Sequence, residues 1–402
     1  MANHITNNDA YTLMSSIVSQ ATGQSAIAVT DTTSFVSAGE TALRTGTENV
    51  LNAISAVVSR TIFSVRPYRR KLDILTTTPE RWGAQVRKIT PLYMGYEETT
   101  DDNTIQNATT LSDGASIDMY TINSPKAIQL NFYDGSNKLQ KSITRYRDQL
   151  SKAFHNETEF MAFIDSIMTE YANEIELANE NRARLTVNNF IGGIVNYQDA
   201  RTVDLVYEYN QKYNTTYTRD DLLTTYLESF MKFVAAVIKT YSSRLTDYTA
   251  LYHSNITGYN KILRHTPKAR QRMIMYSPFF IEMESELYSS LFNPEYLEIG
   301  EFEGVNFWQD PYAPTEIKVL PNILNEVTGQ SEDAAAALEI EYVLGMLFDE
   351  EAIGILPQFD YSSTTPFNSA GGYWNMFTHW RFNSFNDYTE NAIVFILGAG
   401  GV

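Results

Sequence analysis

The chain has 402 residues, carries 48 acidic against 30 basic side chains and holds no cysteine. That length supports two or three packed lobes, and the missing thiols exclude both a disulfide framework and a thiolate zinc site. The formal net charge of -18 opposes binding to a phosphate backbone, which calls for a surplus of lysine and arginine; it fits plain solubility, and equally a surface that encloses nucleic acid without adhering to it.

Residues 1–45 are rich in Ser, Thr, Ala and Gly, with few charges (Asp9, Asp31, Glu40, Arg44). Such a segment buries too little apolar surface to fold alone, and two readings stay level: an arm that orders on a partner, or a disordered end. Met1-Ala-Asn-His-Ile has neither a basic nor an apolar leader region, which points to synthesis and folding in a cytoplasm. Val50, Ile54, Val57, Val58 and Ile62 predict a helix over Glu48 to Phe63, which then meets Pro67.

From Arg66 to Lys88 the chain turns basic, whereas Glu97 to Asp118 is acidic and rich in Thr and Asn. Trp82 to Thr90 and Ala127 to Phe132 alternate like strands, so the region reads as a long hairpin with opposite charge on its two parts. The candidate contacts between subunits are Arg66, Arg69, Arg70 and Lys71 on one part and Glu97, Glu98, Asp101 and Asp102 on the other. The plainer alternative is two solvated charge runs.

Asn156-Glu-Thr-Glu159 has the pattern of a capping box. The stripe Phe160, Phe163, Ile164, Ile167, Met168, Tyr171, Ile175 and Ala178 then predicts a long helix that ends before Gly192-Gly193. A second capped helix begins at Thr218-Arg-Asp-Asp221, with a core stripe from Leu222 and Leu223 through Tyr226, Phe230 and Val234 to Tyr241. Arg272 to Tyr276 reads as a strand and Pro278 to Phe292 as the helix after it. From Gly354 onward the segments are short, apolar and punctuated by turns, as in a sheet. The candidate core residues here are Trp374 and Trp380, on a strand led by the Gly371-Gly372 turn and expected to pair with Ala392 to Leu397.

No catalytic, cofactor-binding or metal site emerges. The five histidines (His4, His155, His253, His265, His379) are scattered and none lies in an HExxH pattern. The glycine pairs and Gly398-Ala-Gly-Gly401 lack the context of a phosphate loop. Carboxylate neighbours such as Asp349-Glu350-Glu351 are expected among so many acids and read as surface charge. No apolar run approaches the length needed to span a membrane; even Ala392 to Leu397 is strand-sized and ends in glycines.

Gly372-Tyr-Trp-Asn, the aromatic strand after it and Asn391-Ala-Ile-Val-Phe resemble the closing segment of the major capsid proteins of small tailed phages, the phi-29-type podoviruses and their staphylococcal relatives. Phe160-Met-Ala-Phe-Ile-Asp-Ser-Ile is similar to the start of that family's spine helix, and Arg272 to Leu287 to a strand and helix of its outer lobe. The likeness runs from about Glu48 to Val402 and departs from some relatives in lacking an extra immunoglobulin-like domain.

The resemblance implies an α+β chain with the Hong Kong 97 fold. It assigns residues 1–63 to an N-terminal arm and helix, 64–150 to the E-loop and P-domain strands, 151–196 to the spine helix, 197–370 mainly to the A-domain and 371–402 to closing P-domain strands. It also implies a non-enzymatic homo-oligomer of pentamers and hexamers, found in the virion and built with scaffolding and portal proteins around packaged DNA that it does not read by sequence. Other readings are a portal or tail component, or a carbohydrate-binding or carbohydrate-active protein.

Overall fold

A computed structural model describes residues 70–76, 85–92, 126–133, 138–146, 157–256, 262–287 and 301–400, with single positions 12, 15, 16, 18, 19, 34, 37 and 38. The expected helix at Glu48 to Phe63 and the acidic stretch Glu97 to Asp118 lie outside these residues. The chain forms two units, one of residues 1–84, 134–183 and 355–384, the other of residues 85–133, 184–354 and 385–402.

In chain order the elements begin with strands β1 (Gln85–Pro91), β2 (Ala127–Tyr133) and β3 (Lys138–Tyr146). Helix α1 (Glu157–Tyr197) follows, then β4 (Thr202–Asp204), α2 (Leu205–Tyr213), α3 (Arg219–Thr224), α4 (Leu227–Arg244), β5 (Gln271–Tyr276) and α5 (Ser277–Leu287). Next come β6 (Glu301–Val305), β7 (Ile317–Val319), β8 (Asn322–Leu324), β9 (Ser331–Asp333), β10 (Leu338–Ile340) and β11 (Val343–Asp349). The series closes with β12 (Ile353–Thr364), β13 (Tyr373–Asn386) and β14 (Ala392–Ile396).

The first unit holds a sheet ordered β12-β13-β3. The turn before β13 is built by Asn368, whose side chain accepts from the Ala370 and Gly371 amides at 3.1 Å, while Gly372 takes a φ of 66° that suits glycine. Along β13 every second side chain is buried, namely Trp374, Met376 and Thr378, the period of a strand with one face inward. In this unit α1 turns acids inward: Glu176 and Glu180 are only 5% and 6% exposed, more buried than Ile175 and Ala178 of the expected stripe. The reason is the turn at 70–76, which offers them the half-buried Arg70 side chain and the Lys71 backbone amide. Arg70 pairs with Asp73 at 2.7 Å and faces Glu176 at 3.9 Å, and the Lys71 amide donates to Glu180 at 3.2 Å.

The second unit is built on a sheet ordered β4-β14-β11-β5-β6. β11 is buried at every residue, as a central strand covered on both faces must be. Val203, Leu205, Val206, Phe230, Met231, Val234, Ile238, Met273, Met275, Leu347, Ile393 and Phe395 join in one apolar core. Asp204 caps α2 by accepting from the Val206 and Tyr207 amides, and Thr218 forms a reciprocal capping box with Asp221 at α3. The expected single helix from Thr218 is two helices. At Thr225 and Tyr226 the ladder slips, both amides donating to the Asp221 carbonyl, so that Tyr226 swings out to stack on Tyr217 at 4.2 Å while Phe230 and Met231 stay in the core.

Two further expectations need correction. Helix α1 does not stop before Gly192-Gly193 but runs through them to Tyr197, because both glycines serve close packing. A Cβ on Gly192 would overlap Val319, and one on Gly193 would overlap the Tyr388 ring and hydroxyl. Trp374 and Trp380 do not share a sheet with Ala392 to Leu397. β13 pairs with β3, from Tyr373 opposite Tyr146 to Arg381 opposite Lys138, whereas β14 pairs with β11 and, in parallel, with β4.

Helix propensity alone would make Gly193→Ala stabilising by about 1 kcal/mol. Steric overlap with Tyr388 should instead make it destabilising by about 1–3 kcal/mol, read from denaturant midpoints of the two chains.

Candidate functional site

The strands β1 and β2 form a two-stranded antiparallel ribbon, from Gln85 opposite Tyr133 to Pro91 opposite Ala127. Ribbons of this size are marginal by themselves and need an anchor. The period of two along β1 supplies one: Ile89 faces solvent at 63% exposure, while Lys88 and Thr90 point inward.

Lys88 enters a set of carboxylates on the 387–391 turn and the β11–β12 connection. Its Nζ contacts Glu390, lies 3.0 Å from Asp387 Oδ2 and 3.3 Å from Glu351 Oε2. Asp387 is 1% exposed, and its other oxygen accepts from the Thr389 amide and hydroxyl at 2.9 and 2.7 Å. Arg264 closes the set from the far side, reaching Glu390 at 3.0 Å, the Thr389 carbonyl at 3.1 Å and the Thr90 hydroxyl at 2.9 Å. Arg270 pairs with Glu350 and Glu351 at the rim.

Burial alone would lower the Lys88 pKa, but Asp387 and Glu390 outweigh it and hold the ammonium above the usual lysine value. For Glu390 burial wins and raises the carboxyl, although Lys88 and Arg264 pull the other way. Glu351, less buried, is held below the usual range by Arg270 and Lys88 against its own desolvation. The arrangement is an ionic seat: cations from other segments neutralise acids that burial would otherwise make costly. It contains no nucleophile with a positioned base, and among the described residues no group of His, Asp and Glu could hold a metal ion.

Of the candidate contacts, Arg66, Arg69, Glu97, Glu98, Asp101 and Asp102 lie outside the described residues. Arg70, whose side chain is 11% exposed, is engaged within its own unit by Asp73 and Glu176, and Lys71 is exposed. Trp374 is 1% exposed and packs on Phe367 at 4.5 Å; Trp380 is half-buried on the same strand. His253 is buried and hydrogen-bonded, His265 rests against Tyr248 at 5.5 Å, and His4 and His155 are outside the described residues. Lys88 had been legible only as one charge in a basic run, and its strand alternation was the signal that it points inward.

The structure resembles a chain of the capsid of Staphylococcus phage Andhra, with a TM-score of 0.50 and 7% identity over 84% of this chain and 86% of that one. It also resembles a chain in a structure of the head fiber and inner core protein gp22 of native bacteriophage P68, with a TM-score of 0.51 and 8% identity over 83% and 86% of the two chains. No curated protein matches. The fold is thus that of a phage capsid protein, in keeping with the Hong Kong 97 architecture. The chain belongs to the Phi29-like phage major capsid protein family, whose model matches residues 14–396. It is therefore a structural protein of the virion, one that forms a shell with other copies of itself, and the portal, tail and carbohydrate readings fall away.

Removing the cation while leaving the acids should be costly: Lys88→Met is expected to lose about 3–5 kcal/mol of folding stability. Adding Glu390→Gln should recover part of that loss, and a double-mutant cycle by chemical denaturation measures the coupling. Trp374→Ala should cost about 3–5 kcal/mol as a buried aromatic deletion. A normal melt with failure only at assembly would place Trp374 between subunits instead.

Proposed function

We propose that the chain builds its shell as pentamers and hexamers, with a separate scaffolding protein and a portal, around DNA that it encloses without reading, and that it is made in the host cytoplasm and catalyses nothing. The observation that carries this reading is the ribbon. β1 and β2 are tied to their unit by Lys88 and by Arg264 at Thr90, and the ribbon still exposes Ile89, which suits contact with another copy. Exposed Tyr207, Tyr312 and Val327, at 62%, 97% and 73%, are further apolar groups suited to contact with other copies. The net charge of -18 supports a container that repels its cargo.

In this reading residues 1–63 act as an arm and helix, 64–150 include the E-loop, 151–196 form the spine, and 197–370 belong mainly to the axial lobe. The closing segment 371–402 is divided, since β13 and β14 enter different sheets. The expressed protein, alone and with its scaffold, should give closed particles by electron microscopy. Deleting residues 1–45 should leave a cooperatively melting subunit that assembles poorly; loss of the cooperative melt would make the arm part of the subunit's own core.

A further inference from the structure

Beside the Lys88 seat lies a second polar series that shell building does not call on. His253, Asn391, Thr266 and Asp349 are 4%, 1%, 0% and 5% exposed. Asp349 Oδ2 is 2.8 Å from Thr266 Oγ1, which is 3.2 Å from Asn391 Nδ2. Asn391 Oδ1 is 3.2 Å from His253 Nδ1, and His253 Nε2 is 2.8 Å from the Ile262 carbonyl oxygen.

The donors can be counted. The Ile262 carbonyl only accepts, so Nε2 carries a hydrogen. An Asp349 carboxylate also only accepts, so Thr266 donates to it and accepts from Asn391, whose amide oxygen then faces Nδ1. A series with acceptors at both ends needs one member that donates both ways, and only an imidazolium does so. The other complete arrangement runs in reverse. A protonated Asp349 donates to Thr266, Thr266 to the oxygen of a turned Asn391 amide, the amide nitrogen to Nδ1, and Nε2–H to Ile262. Both arrangements hold one proton more than a carboxylate and a neutral imidazole. Without that proton one buried contact opposes two acceptors, which is costly where water does not reach.

We propose that Asp349, Thr266, Asn391 and His253 together bind one shared proton at neutral pH, and that this proton latches the 387–391 turn on which Lys88 is seated. The turn is tied to the series directly, since the Asp349 amide donates to the Asn391 carbonyl at 2.9 Å. Burial, with the charges of Arg264 and Arg201, holds the imidazole pKa below its usual value against the pull of the Ile262 and Asn391 hydrogen bonds. That shift works against a proton on the ring, so the shared proton is argued from the hydrogen-bond count of the whole series. The charged neighbours have other partners: Arg264 has Glu390 and Thr389, Arg201 has Asp199 and the Ser254 hydroxyl, Asp387 and Glu390 have Lys88, and Arg270 has Glu350 and Glu351.

Asp349→Asn separates the proton from the hydrogen bonds. Its oxygen can still accept from the Glu351 amide, at 2.9 Å from Asp349 Oδ1 in the native chain, while its nitrogen donates to Thr266 and completes the reverse series with nothing to titrate. The sign follows from counting protons. As pH rises past about 6.5 the unfolded chain sheds the extra proton, so the native fold loses stability with rising pH, while Asp349→Asn does not. In equilibrium unfolding of the full-length subunit from about pH 6.5 to about pH 8.5, the ratio of native to variant folding constants should fall by up to tenfold per pH unit. A flat ratio across that range overturns the proposal. Should Asp349→Asn not fold, nitrogen-15 NMR of the His253 ring and carbon-13 NMR of the Asp349 carboxyl in the native chain decide together: a ring with hydrogen on both nitrogens, or a protonated Asp349 beside a neutral ring, supports the latch, and a neutral ring beside an Asp349 carboxylate overturns it.

Discussion

A lysine ammonium among three carboxylates holds together parts of the second unit that the sequence sets far apart. Lys88 belongs to the ribbon, Glu351 to the connection after the central strand β11, and Asp387 and Glu390 to the turn before β14. Asp387 and Glu390 are expensive to bury alone and become tolerable because a cation from another segment arrives, while the exposed Glu351 closes the rim. The seat therefore rewards one arrangement of these segments and penalises every misregistered one, which is how a buried ion cluster specifies structure even where it adds little net stability. Arg264 extends the same logic by binding the turn's backbone at Thr389 and the ribbon's hydroxyl at Thr90 with one guanidinium.

Much of this architecture was legible where local chemistry decides it. The β1 and β2 strands, the Thr218 capping box, the strand at β5 and the glycine turn before β13 follow from alternation, capping and positive φ. The misses share a cause: a tertiary partner overrode a local signal. Gly192-Gly193 reads as a helix stop, yet Val319 and Tyr388 arrive from distant segments and fill the space that any side chain would need. Ile175 and Ala178 read as a core stripe, yet Glu176 and Glu180 turn inward because Arg70 and the Lys71 amide receive them. Sequence spacing carries the helix but not the identity of what meets it.

The candidate site divides in the same way. Arg70 was recognised as a functional cation by its place in a charge run, but a run does not say which member finds a buried acid of its own chain. Lys88 sits in that same run, and only its neighbours on the turn distinguish it. Family membership supplies the role, a shell-forming structural protein. The internal electrostatics supply what membership does not, namely which charges are committed within the subunit and which are left for other copies.

The place of β14 has a consequence for the route by which the second unit forms. It lies between β4 and β11, with a parallel neighbour on one side and an antiparallel one on the other, so β4 joins the sheet only through it. Val394 meets Thr202 across nearly half the chain. Contacts of such long sequence separation close slowly, because the loop entropy is lost before any pairing is gained. Until they close, β11 presents an open apolar edge able to recruit strands from other chains. The interval between synthesis of β11 and capture of β14 is thus the period when a subunit bound for an ordered shell is most exposed to disordered aggregation.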